Sequence, residues 1–135
     1  MKNTKRVTFT LMKSDIRFIN NQSEMMKMYK SNFVSLCIEN CFPLMEEELD
    51  EKRELGYDSP YKVRKKFFDT HPITVTLPIE VVEKLNYYSK EIGIKKSHLV
   101  SISIYLMEEK IKKELSNQIN DLMDSITFTK EVVED

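Results

Sequence analysis

From residue 73 the chain alternates: Ile73, Val75 and Leu77 are apolar, and Thr74 and Thr76 between them are polar. A period of two predicts a short strand with one face buried and the other in water. The period then lengthens. Val82, Leu85 and Ile92 fall at helical spacing, Gly93 stands where a helix ends on a left-handed residue, and Ser97 can cap a second helix. Residues 73–106 thus predict strand, helix, turn, helix.

The same pattern precedes it. Residues 7–42 superpose on 73–108 at a constant offset of 66 with no gap. Thr8, Thr10, Leu11, Asn20, Ser23, Lys30, Ser31, Val34 and Ser35 meet identical residues at Thr74, Thr76, Leu77, Asn86, Ser89, Lys96, Ser97, Val100 and Ser101. Apolar character is kept where Val7 meets Ile73, Phe9 meets Val75, Ile16 meets Val82, Ile19 meets Leu85 and Met26 meets Ile92. Strand alternation, both helix faces and a Lys-Ser turn sharing one register predict a duplication. The first copy then has a strand over 5–11, a helix over 14–27 and a second helix over 32–42, which Pro43 is expected to end or kink. Lys27 stands in the place of Gly93, so the first turn is expected to differ: a left-handed lysine costs about 1 kcal/mol relative to glycine.

Between the copies, residues 45–55 have helix-forming composition with acids first. Gly56-Tyr57-Asp58 interrupts, and Ser59-Pro60 predicts the start of a short basic helix reaching Phe68. Tyr61, Val63, Phe67 and Phe68 give this linker apolar groups to pack. After the second copy, Leu106, Ile111, Leu115, Ile119, Leu122 and Met123 continue a helical stripe. It has two open readings, packing against its own chain or self-association of two chains. The acidic residues 127–135 are expected to fray. The expected division is 5–42 (first repeat), 43–71 (helical linker), 72–113 (second repeat) and 114–135 (helix extension and tail).

Two glycines and four prolines in 135 residues, with long polar-apolar periods, place the chain in the mainly α class. No charged start with an apolar segment and cleavage site appears, nor any apolar run of spanning length, and the expectation is a cytoplasmic protein. Cys37 and Cys41 lie on one helix face without a nearby histidine, which fits two buried thiols better than a zinc site. The net charge of −1 hides segregation. Residues 1–36 hold seven basic against two acidic groups, a balance of +5, and residues 39–58 hold eight acidic against two basic, a balance of −6. Local field, not net charge, attracts phosphates.

The segments ITVTLP and EIGIKKS and the apolar run that follows resemble the ribbon-helix-helix superfamily of the CopG, Arc and MetJ repressors. The resemblance implies that two strands pair into an antiparallel ribbon whose apolar side rests on four helices and whose other side enters the DNA major groove. The duplication allows both strands to come from one chain, a pseudo-dimer, and this pairing is favoured over pairing between chains. Alternation turns Arg6, Thr8 and Thr10 outward in the first strand and Thr74 and Thr76 in the second, as base contacts. Threonine also suits any solvated strand face. The turns opening each second helix add lysines, hydroxyls and free N–H groups suited to phosphate: Lys30, Ser31 and Asn32 in the first copy, Lys95, Lys96, Ser97 and His98 in the second, with Lys5 on the strand. Pro72 replaces the basic residue in the second strand, so an asymmetric DNA site is expected.

With two histidines, no glycine-rich phosphate loop and acids confined to helical runs, no catalytic constellation or cofactor site is expected. The function expected is sequence-specific binding of double-stranded DNA by a transcriptional regulator, self-associated through the C-terminal helix. Tandem copies also resemble the TraY type of conjugative-plasmid factor, which gives a DNA-processing accessory role as one alternative. An antitoxin holding a partner through its C-terminal helix is the other.

Overall fold

The computed structural model describes residues 3–56 and 69–134, the side chains of 127–134 aside. Its order is β1 (Thr4–Met12), α1 (Lys13–Met25), α2 (Lys30–Leu55), β2 (Thr70–Pro78), α3 (Ile79–Ile92) and α4 (Lys96–Glu134). Helices dominate, and the two strands form one antiparallel two-stranded sheet within the chain. None of the described helices is long and apolar enough to cross a membrane.

The ribbon exists because its inner face is covered. Phe9 and Leu11 of β1 and Val75 and Leu77 of β2 alternate with exposed threonines, and all four lie in the main apolar cluster. Beneath them pack Ile19 of α1, Phe33, Val34 and Ile38 of α2, Leu85 of α3, and Val100 and Ile104 of α4. A two-stranded sheet is marginal alone, and burying each such side chain contributes about 1.5–3 kcal/mol. Cys37 and Cys41 join this core as free thiols. Burial pushes the Cys37 thiol up to about 12 and raises that of Cys41.

The register pairs Thr8 with Thr74, residues whose numbers differ by 66, and the ladder runs outward evenly from them to Thr4 opposite Pro78 and Met12 opposite Thr70. Lys13 N–H donates to Asp69 O (3.2 Å) and Ile79 N–H to Asn3 O (3.1 Å), which extends the ladder by one bond at each end. Beyond the strands the same spacing recurs. Met28 N–H donates to Ser23 O and Ile94 N–H to Ser89 O; Phe33 N–H donates to Tyr29 O and Leu99 N–H to Lys95 O.

Lys27 and Gly93 both adopt positive φ, 54° and 85°. The turns differ less than expected, because the lysine accepts the strained backbone. What changes is the closing bond: Gly93 N–H reaches Ser89 O, whereas Lys27 N–H reaches Glu24 O, one residue closer, and α1 ends at Met25. Coverage differs more. Ile92 is buried, but Met26, 66 residues before it, is 48% exposed.

Pro43 neither ends α2 nor separates it from a linker helix, since α2 continues through it to Leu55. The missing N–H costs one helical bond, and the residues beyond it compensate by tertiary contacts. Met45 and Leu49 are buried, Tyr88 Oη donates to Glu46 Oε2 (2.6 Å), and Arg53 Nη2 donates to Tyr87 Oη (3.0 Å). Burial, together with the Glu46 carboxylate, pushes the Tyr88 phenol up to about 12, so it stays a donor. Lys52 Nζ donates to Glu91 O and Ile92 O, both at 3.1 Å, and so satisfies carbonyls left open where α3 ends. The boundary expected at 42/43 therefore falls inside a helix, and so does that at 113/114. Gly56 (φ 71°) terminates α2. The short helix expected from Ser59-Pro60 to Phe68 lies outside the described residues.

α4 continues to Glu134. Its first part packs on the core, and Ser101 Oγ donates to buried Asp15 Oδ2 (2.7 Å), tying α4 to α1. Relieving the one strained lysine gives a direct check on the α1–α2 turn: Lys27→Gly should raise unfolding stability in a urea titration by about 1 kcal/mol, and Gly93→Lys should lower it by a similar amount.

Candidate nucleic-acid interface

The outer face of the ribbon is polar because β-strand side chains alternate and the inner set is committed to the core. Arg6, Thr8, Thr10, Thr74 and Thr76 are all exposed, with Arg6 opposite Thr76 and Thr10 opposite Pro72. Thr8 Oγ1 and Thr74 Oγ1 lie 2.8 Å apart in a hydroxyl–hydroxyl bond at the middle of the face. Two hydroxyls bonded to each other use one proton and leave one to offer outward, along with acceptor lone pairs. No acidic residue occupies this face between Thr4 and Thr10 or between Thr70 and Thr76.

The helix turns meet the ribbon through its edges. Ser97 Oγ accepts the Thr10 N–H at 3.0 Å, and Ser31 Oγ accepts the Thr76 N–H at 2.9 Å. Ser97 at the start of α4 thus holds β1, and Ser31 at the start of α2 holds β2. Neither serine stands at an N-cap position: Tyr29 precedes α2, which has no side-chain cap bond, and α4 already begins at Lys96. An outward N–H on a sheet edge needs a partner, and here the hydroxyl supplies it while keeping its own proton for another acceptor. The sequence signal is one spacing of 66 that occurs twice, Thr10 with Thr76 and Ser31 with Ser97, but the crossed pairing depends on the antiparallel register.

Beside the ribbon runs an open groove of about 640 Å³ with Thr8, Thr10, Thr70 and the turn Lys95-Lys96-Ser97 among its walls. Lys5, Lys30 and Asn32 are also exposed, and Ser31 and Ser97 are half-buried. Lysines, hydroxyls and the first N–H groups of α2 and α4 therefore surround the outer face, an arrangement suited to anions.

His98 does not join this set. It is half-buried and its Nε2 is enclosed, because the third residue of α4 turns toward the body. Tyr29 precedes Lys30 where Lys95 precedes Lys96, and it is 81% exposed. At the ribbon end, His71 Nε2 lies 3.1 Å from Asp69 Oδ1. Among the described residues no group of three or more His, Cys, Asp or Glu side chains could hold a metal ion. No family model, curated protein or solved structure matches the chain.

The edge bonds can be tested separately. Ser97→Ala should speed hydrogen exchange at the Thr10 amide and Ser31→Ala at the Thr76 amide, each costing about 0.5–1.5 kcal/mol. Faster exchange at the amide next to the substituted serine, instead of at the strand amide it accepts from, would contradict the crossed pairing.

Proposed function

We propose that the chain is a tandem ribbon-helix-helix protein that binds specific double-stranded DNA as a transcriptional regulator. The carrying observation is the antiparallel ribbon with Arg6, Thr8, Thr10, Thr74 and Thr76 outward, tied by Ser31 and Ser97 to two helix starts that each bear lysine. A two-stranded ribbon fits the major groove, where side chains on its outer face meet base edges. Arg6 bonds a guanine edge bidentately, and the threonines offer hydroxyls or touch thymine methyls. Lys5, Lys30, Lys96 and the free protons of Ser31 and Ser97 hold phosphates on either side and set the register of the ribbon in the groove.

In this proposal the sequence is a duplication and the two copies act as the halves of a dimer. The recurrence of contacts at a spacing of 66 and the pairing of Thr8 with Thr74 at the centre support that view. The halves are chemically unequal: arginine stands at one end of the face and Pro72 at the matching place of the other. One ribbon thus prefers an asymmetric DNA site. A DNA-processing accessory role would use the same interface.

Gel-shift titration on a selected DNA fragment across a salt series tests this. Arg6→Ala and Thr74→Ala should reduce specific over nonspecific affinity, Arg6→Ala by about 1–3 kcal/mol. Lys30→Ala and Lys96→Ala should weaken binding to all sequences and lower the salt slope by about one each. Wild-type behaviour in all four variants would exclude the ribbon as the contact surface.

A further inference from the structure

The C-terminal part of α4 leaves the core with an apolar face uncovered. Leu115, Ile119, Leu122 and Ile126 are 52–61% exposed, and Met123 beside them is 58% exposed. In the first copy the residue matching Leu115 is Leu49, which is 1% exposed because the end of α2 packs within the chain. The same residue type at the same place thus has cover in one half of the molecule and none among the described residues in the other.

We propose that this face is the seam of a parallel two-stranded coiled coil formed by a second copy of the chain. Its spacing of four, three and four residues is that of alternating d and a positions in a heptad. Leu115 and Leu122 occupy d, and Ile119 and Ile126 occupy a. Leucine at d with β-branched isoleucine at a is the combination that favours two parallel strands, since it suits the side-chain geometry of each layer there. The flanking e and g positions, Ser116, Gln118, Met123 and Ser125, carry no charge, so two copies meet without repulsion along the edges.

One heptad earlier the corresponding positions are Glu108 and Lys112, which pair within the chain at 3.1 Å. That pair marks where the seam begins, just beyond the packed body. The area also suffices: covering the seam and its flanks in two chains removes on the order of 1,000 Å², about the lower bound for a specific interface. Along the seam itself, residues 114–126, every charged side chain is acidic (Glu114, Asp121 and Asp124), which disfavours anionic lipid or nucleic acid as the occupant. The proposal stands independently of DNA binding.

Sedimentation equilibrium of the full chain at micromolar concentration should give twice the 16.0 kDa chain mass. Ile119→Lys with Leu122→Lys should return it to the single-chain mass while keeping the thermal transition of the core. Wild-type chain at the single mass, or a dimer that survives this double substitution, overturns the proposal. Orientation is read from Ile126→Cys under mild oxidation, with buried Cys37 and Cys41 as silent background. A parallel pair places the new thiols face to face and should yield a disulfide-linked dimer from this variant alone. An antiparallel pair aligned on the seam separates them by eleven residues, about 16 Å, and links only on mixing with Leu115→Cys chains, which would overturn the parallel seam.

Discussion

Everything in this molecule depends on a sheet of only two strands that must be closed on three sides. Its inner face is apolar and useless in water, and its two outer edges carry N–H groups that seek partners. Four helices cover the face through Leu11, Leu77 and their neighbours, and Ser31 and Ser97 satisfy N–H groups at the edges. The fourth side alone stays in solvent, and its side chains are the ones proposed to read DNA. Fold and proposed interface are therefore one arrangement: removing a helix start would loosen both the ribbon edge and the lysine-bearing turn beside it.

The strands and helix faces were legible because alternation and helical spacing reflect side-chain burial, which the ribbon makes strict at Phe9, Leu11, Val75 and Leu77. The outward positions of Arg6 and the threonines follow from the same parity. Features that depend on contacts between distant residues were not legible. Pro43 reads locally as a stop, yet Tyr88, Tyr87 and the end of α3 hold the helix beyond it. His98 looks like part of a basic turn until the helix phase carries its ring inward. Ser97 reads as a cap, because nothing local distinguishes a cap from an acceptor for a strand N–H across the ribbon.

Residues 66 apart do not always share an environment. Asp15 is buried against Ser101, whereas the residue matching it, Val81, is an apolar core residue. Pro43 with its buried continuation belongs to α2, while α4 carries Glu109 at the matching place and proceeds to a long exposed seam. The two helices begin alike at Lys-Ser and end with different partners. One braces its own chain, and the other faces outward.

Pairing Thr8 with Thr74 also fixes an order of events during synthesis. β1 is made early, but its partner follows 66 residues later. At translation speeds of 5–20 residues per second that interval lasts about 3–13 s, during which Phe9 and Leu11 have no completed ribbon to enter. The ribbon cannot close until β2 leaves the ribosome. Joining two half-ribbons in one chain removes the search for a second molecule and replaces it with a wait.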